Sequence, residues 1–284
     1  MRPWALITGA SRGLGAELAQ RFWESGYQLL LVSRSLESLE VIREKLHPTS
    51  KQKCQIFACD LGSSEELSGF LAKIERLDLV IRVLINNAAI QGPIGEFIEN
   101  DLQQWEESLD VNLIAPIKLS QFVGKQMKAR QQGNIIQLSG GGATGPRPNF
   151  SAYATAKAGL VRFSETLAEE LRPYRVNVNC IAPGPMPTNM LKQVVVAGPT
   201  NAGEPEYMKA QQLFGVGSQS MQYATDLALF LASDQGRNIT GKLISALWDN
   251  WSDWPRHSDE LNQSDIFTLR RITGRDRGMN WGDK

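Results

Sequence analysis

The run Thr8-Gly9-Ala10-Ser11-Arg12-Gly13-Leu14-Gly15 constrains this chain more than any other feature. It follows directly on an apolar strand-like run, Trp4-Ala5-Leu6-Ile7. It leads straight into Leu14, Leu18, Ala19 and Phe22, whose spacing is that of one helix face. Glycines in such a turn let the backbone approach a pyrophosphate closely, and the helix N-terminus stabilises the negative charge. A strand before and a helix after are the context this motif requires. Gly9, Ser11, Arg12, Gly13, Leu14 and Gly15 are therefore candidate dinucleotide-binding residues.

Strand-like runs recur at 4–8, 28–32, 54–58, 81–86, 134–139, 176–181 and 242–246. Their apolar centres suit strands buried on both faces, as in a parallel sheet. Amphipathic helical patterns lie between most of them. Ser63-Ser64-Glu65-Glu66 reads as a capping box, Asp101 as the cap of a long helix toward Arg130, and Ser151 as the start of a helix ending at Arg172-Pro173. The alternation predicts an α/β fold: a doubly wound, seven-stranded parallel sheet with helices on both faces.

Two segments interrupt that alternation. Residues 183–220 carry prolines at 183, 185, 187, 199 and 205 and glycines at 184, 198, 203, 215 and 217, after a strand and on the side where such sheets bind ligands. We expect a lid there, at about 184–220. Residues 1–247 then form a single dinucleotide-binding catalytic domain, and 248–284 a Trp-rich C-terminal extension with tryptophans at 248, 251, 254 and 281. The extension either packs on its own domain or a sister subunit, or walls a substrate pocket or partner contact.

Lys+Arg and Asp+Glu both number 30, so no basic excess points to nucleic acid or a membrane surface. No stretch approaches the ~18 apolar residues of a spanning helix. The N-terminus reaches a strand without a signal-peptide pattern, so cytoplasmic residence is expected. Cys54, Cys59 and Cys180 form no CxxC and read as buried free thiols. With only His47 and His257, a His-based triad or His-rich metal site is not expected.

Tyr153 and Lys157 stand four apart, on one helix face. An ammonium beside a phenol favours phenolate, so the Tyr153 pKa is expected to fall toward neutrality and suit it to proton exchange with a carbonyl or alcohol oxygen. For the dinucleotide, the second strand ends Val32-Ser33-Arg34-Ser35, without the carboxylate that would accept from an NAD ribose. Arg34 and Arg12 would instead clamp a 2′-phosphate, which favours NADP(H) over NAD(H).

These pieces resemble the short-chain dehydrogenase/reductase superfamily in its single-domain, Rossmann-type form, over roughly residues 4–247. The matching residues are Thr8–Gly15, Asp60-Leu61, Asn86-Asn87-Ala88-Ala89, Asn112, Tyr153-Ala154-Thr155-Ala156-Lys157 and Pro183-Gly184. The resemblance implies that Asp60 meets the adenine amino group, and that Asn86 and the backbone around Ala88 line a ribose. It implies that Thr188 bonds the nicotinamide carboxamide and that Tyr153 is the acid/base. Lys157 would hold the nicotinamide ribose and lower the tyrosine pKa. Asn112 would keep a water in a proton relay to Lys157. Leu61, Asn87, Pro183 and Gly184 join the cofactor set.

Two positions depart from the family pattern. Ala89 replaces a glycine, adding only a methyl. A serine or threonine roughly 13 positions before the tyrosine is usual, but here that position is Gly140, and the nearest hydroxyl is Ser139. A shift within Ser139-Gly140-Gly141-Gly142 would aim Ser139 inward as the carbonyl anchor, a better placement than Thr144. The alternatives are a backbone N–H or a group of the substrate. The expected activity is NADP(H)-dependent interconversion of a carbonyl and a secondary alcohol. An epimerase or dehydratase with retained cofactor and a non-enzymatic NADP-binding sensor are the competing readings. A homodimer or homotetramer is expected, built from the helices near 101–130 and 151–172.

Overall fold

The structure, a computed structural model, describes residues 2–47, 52–214 and 219–281. Seven strands form one sheet: β1 (Trp4–Thr8), β2 (Gln28–Ser33), β3 (Cys54–Ala58), β4 (Ile81–Asn86), β5 (Gly133–Leu138), β6 (Val176–Ala182) and β7 (Leu243–Ser245). All pairs are parallel, in the order β3-β2-β1-β4-β5-β6-β7. β1 and β2 are buried along their whole length, as their apolar runs require, whereas β3 at the edge is only partly covered. The order reverses between β1 and β4, which opens a crevice beyond their C-terminal ends.

The helices on either side of the sheet are α1 (Gly13–Glu24), α2 (Leu36–Lys45), α3 (Ser64–Glu75), α4 (Leu102–Leu109), α5 (Ala115–Arg130), α6 (Ser151–Leu171), α7 (Asn189–Ala202), α8 (Glu204–Phe214), α9 (Gln219–Ala232) and α10 (Ser258–Gln263). One core joins Leu14, Leu18 and Phe22 of α1 to Leu227 and Leu231 of α9 under one face of the sheet. A second joins Leu67 and Phe70 of α3, Leu119 and Val123 of α5, and Ala168 of α6 under the other. The result is the expected doubly wound α/β architecture. Among the described residues, no helix is long and apolar enough to cross a membrane.

The expected helix after Asp101 begins as predicted, with the Asp101 carboxylate accepting from the Gln103 N–H at 2.8 Å. It does not run to Arg130 as one α-helix. A π-turn at Asp110–Ile114 joins α4 to α5. Pro116 lacks the N–H that would bond the carbonyl of Asn112 four residues back, so the regular ladder cannot pass there. The capping box also differs. The Ser63 hydroxyl accepts from the Glu66 N–H, but the Glu66 carboxylate accepts from the Asp60 N–H, which ties the end of β3 to α3.

The expected lid contains two helices. α7 bends at Gly198 (φ 75°), before Pro199, and α8 follows Gly203. Val194, Ala202 and Ala210 seat this pair on buried Phe150. The glycines at 215 and 217 lie outside the described residues. In the extension, Trp254 and Leu261 join the α1/α9 core, and Trp251 packs on Phe230 at 5.2 Å. Trp248 and Trp281 face solvent. The Leu243 N–H donates to the Phe267 carbonyl at 2.8 Å, and Lys242 Nζ donates to the carbonyls of Ser264 and Ile266, so the extension covers the free edge of β7. Of the cysteines, Cys59 and Cys180 are buried and Cys54 is partly exposed; all are free.

Candidate functional site

The glycine turn leaves β1 and enters α1 at the crevice. Gly9 has φ 64° and Gly13 φ 53°. A Cβ at Gly15 would stand 2.1 Å from the Gly9 carbonyl oxygen, and one at Gly9 would stand 2.8 Å from Ala88 Cα. Side chains at these positions would collide with the protein's own backbone, so glycine is what lets the turn close against the end of β4. Arg12 precedes the helix without capping it, and the first turn of α1 holds no acid, so its N–H groups are available to an anion. The Thr8 hydroxyl accepts from the N–H groups of Asn87 and Ala88, each at 3.0 Å. Asn87 Nδ2 donates back to the Thr8 and Gly9 carbonyls at 2.9 and 3.3 Å. The ends of β1 and β4 are thereby strapped together at the floor of a cleft of ≈ 590 Å³.

At one end of this cleft, Ser11, Arg12, Arg34, Asp60 and Leu61 line the wall with Gly9, Gly13, Leu14 and Gly15. Both arginines are exposed, and their side chains have no ion-pair or hydrogen-bond partner among the described residues. Sequence reasoning missed Ser33, Ser35 and Ser38 on this wall. The signal was present: the Ser35 hydroxyl caps α2 by accepting from the Ser38 N–H at 3.1 Å, an ordinary Ser-x-x-Ser cap. Asp60 Oδ1 accepts from the Gly62 N–H at 2.9 Å, which fixes the loop after β3.

Ala88, Pro183 and Thr188 also line the cleft, but two expected cofactor residues do not. Asn86 turns beneath α5, its amide toward Ser120 Oγ at 3.4 Å and the Pro116 carbonyl at 3.5 Å, because the strand alternation puts Asn87 on the cleft side instead. Gly184 contributes backbone only: its φ is 82°, and a Cβ there would stand 2.4 Å from Leu247.

The other end of the cleft holds Ser139, Tyr153 and Lys157. α6 presents Tyr153 and Lys157 on one face, and Lys157 Nζ lies 5.5 Å from the tyrosine ring centre. β5 ends at Leu138, and the Ser139 N–H donates to the Ile181 carbonyl at 2.8 Å. Ser139 lines the cleft and is 4 % exposed, and its hydroxyl is buried without a partner among the described residues. Thr144 is exposed and does not reach the cleft.

Asn112 stands behind this end and does not itself line the cleft. Its side chain accepts from the Ile90 N–H at 3.0 Å and donates to the Ile90 carbonyl at 2.8 Å and to Ser108 Oγ at 3.0 Å. Its side-chain amide is thus engaged in holding Ile90 against the cleft. One expectation about this end needs correction, the acidity of Tyr153. Burial pushes its phenol up to about 12, not toward neutrality, and the opposing pull comes from Arg147. Lys157 is itself buried, which brings its ammonium down to about 8, and its Nζ donates to the Leu138 carbonyl at 2.7 Å. Desolvation dominates both groups, outweighing Arg147 at Tyr153 and Cys180 at Lys157.

A dinucleotide fits this cleft on two observations: an α1 N-terminus with no side-chain cap and no acid in its first turn, and at the far end a buried hydroxyl without a partner among the described residues. The family model described as short chain dehydrogenase matches residues 3–197. A 2,3-dihydro-2,3-dihydroxybenzoate dehydrogenase of Bacillus subtilis (strain 168) is 30% identical over 241 residues, covering 83% of this chain and 91% of that protein. The crystal structure of YwfH, an NADPH dependent reductase involved in bacilysin biosynthesis, matches with a TM-score of 0.76 at 26% identity, over 87% of this chain and 97% of that one. The structure of an NAD+-bound xylitol dehydrogenase matches with 0.75 at 26% identity, over 86% and 96%.

Proposed function

Because this chain belongs to the short-chain dehydrogenase/reductase superfamily, we propose that it interconverts a carbonyl and a secondary alcohol with NADP(H), Tyr153 acting as the acid/base. The observation that carries this reading is that Ser139, Tyr153 and Lys157 meet at one end of the cleft whose other end is the glycine cradle.

The cradle and the N-terminus of α1 would hold the pyrophosphate. Arg12 and Arg34 would clamp a 2′-phosphate, and no carboxylate at the end of β2 opposes it. Asp60 and Leu61 would border the adenine, with Asn87, Ala88, Lys157, Pro183 and Thr188 toward the nicotinamide half. When bound, NADPH supplies the hydride that reduces the carbonyl carbon. Tyr153 gives its proton to the oxygen as charge develops there. The Ser139 hydroxyl donates to the same oxygen and stabilises that charge. Lys157, anchored on Leu138, fixes the polarity around the phenol. Asn112 positions Ile90 at the wall. Ile90, Met186, Met190 and Gln193 shape the space beside Tyr153, which suits a medium-sized substrate of mixed polarity.

We also propose a cytoplasmic homodimer or homotetramer. Phe97 and Ile98, in the turn before α4, and Leu102 at its start are all exposed and support association through the helices near 101–130.

The test is titration of the purified protein with NADPH and with NADH, followed by NADPH oxidation against ketones, aldehydes and keto-sugars. Tighter NADPH binding with turnover on at least one carbonyl is the expected result. Binding without turnover on any of them would favour a retained-cofactor epimerase or a sensor.

A further inference from the structure

Arg147 was not among the residues singled out from the sequence, yet it is the cation that reaches Tyr153 from outside α6. It stands in the loop between β5 and α6. Its side chain lies along the glycine run: a Cβ on Gly141 would stand 3.7–3.9 Å from it, in ordinary contact. Its guanidinium stacks on the Phe150 ring at 3.8 Å from the ring centre and stands 5.9 Å from that of Tyr153. Its side chain is only 17 % exposed. On its far side, Nε and Nη2 donate to one oxygen of Glu206 at 3.1 and 2.7 Å. Glu206 belongs to α8, the second lid helix, so the pair bridges the loop beside Tyr153 and the lid.

Lys157, one turn along α6, is the other cation at this ring: its Nζ stands 5.5 Å from the ring centre and donates to the Leu138 carbonyl, and behind it on β6 lies the neutral Cys180 thiol. The end of β5 offers Ser139, which is uncharged, and Gly140, which has no side chain. We propose that Arg147 is a positioning residue that sets the acidity of Tyr153, and that Glu206 controls how much of its charge Tyr153 feels. When the lid is seated, the carboxylate partly neutralises the guanidinium. When α8 lifts away, the full positive charge acts on the phenol. Lid position and proton donation are then coupled through one ion pair. The direction agrees with Arg147 being the group that lowers the Tyr153 pKa against burial.

This inference rests on Tyr153 being the acid, but its test needs no turnover. Tetranitromethane nitrates the phenolate form of tyrosine. Its rate at fixed pH below the pKa therefore tracks acidity. The full chain and the variants Arg147→Gln, Arg147→Lys and Glu206→Gln would be treated at one pH, and nitration of Tyr153 scored by peptide mass spectrometry against exposed Tyr223. Arg147→Gln should slow Tyr153 nitration about tenfold, and Arg147→Lys should restore part of the rate. Glu206→Gln should speed it. If the ion pair merely held the lid shut, Arg147→Gln and Glu206→Gln would both open access and both speed nitration. That result, or an unchanged rate in Arg147→Gln, would overturn the proposal. Failure of the reductase reading would show separately, as absence of NADPH oxidation.

Discussion

A Cβ added to Gly140 would stand 2.3 Å from the Tyr153 hydroxyl, closer than any packed pair of atoms. The tyrosine thus lies where a side chain at position 140 would have to go. Restoring a side chain there should displace the acid rather than assist it. Gly140→Ala and Gly140→Ser are both expected to lower kcat at least tenfold while NADPH affinity stays within a factor of two. Overpacking should also lower unfolding stability by about 1–3 kcal/mol. Steady-state kinetics, cofactor fluorescence and urea unfolding would check the three effects. A Gly140→Ser variant faster than the parent would show that Tyr153 can yield its place.

The cofactor preference is assigned to Arg12 and Arg34. Loss of either guanidinium should weaken NADPH binding about tenfold and leave NADH binding nearly unchanged, because only the former carries a 2′-phosphate. The ratio of the two dissociation constants should shrink further as salt rises, since both arginines are exposed to solvent. Equal losses for the two dinucleotides would place these arginines on the pyrophosphate instead.

Lys157 carries a pH signature in stability. Its pKa falls from 10.5 in the unfolded chain to about 8 in the fold, because burial penalises the ammonium. Between those values the unfolded state binds more protons, so this group favours the fold increasingly as pH rises from 8 to 10.5 and loses that contribution as pH falls. The raised thiols act in the opposite sense above pH 9, each neutral in the fold where the unfolded thiol ionises. Comparison with Lys157→Met cancels them. Between pH 8 and pH 10 the parent should gain on the variant by about 2 kcal/mol. Parallel stability curves would mean that Lys157 keeps an ordinary pKa.

What could be read from the chain depended on how local the cause was. β1 and β2 were legible because burial on both faces demands an unbroken apolar run. The glycine cradle was legible because a strand before it and a helix after it left one geometry for residues 9–15. The π-turn was less so: the breaker, Pro116, was visible, but the bonds from Asn112 to Ile90 come from a loop 22 residues away. Arg147 was invisible for the same reason, since its partner Glu206 is 59 residues on. The acidity of Tyr153 was misjudged because four-residue spacing shows that Lys157 shares its face but not that both are desolvated. In the extension, the tryptophans promised packing somewhere. Only the fold shows that Trp251 and Trp254 seat on the domain's own core while Trp248 and Trp281 stay exposed.

The central claim is that the Tyr153 phenol delivers the proton, and the most direct measurement is turnover of the Tyr153→Phe variant alongside its NADPH affinity. The substitution removes one hydroxyl from a buried ring and leaves the cradle intact. The account predicts NADPH binding within a factor of two of the parent and carbonyl reduction slower by about 10²–10⁴-fold. Turnover at the parent rate with intact binding would contradict it and assign the proton to another group.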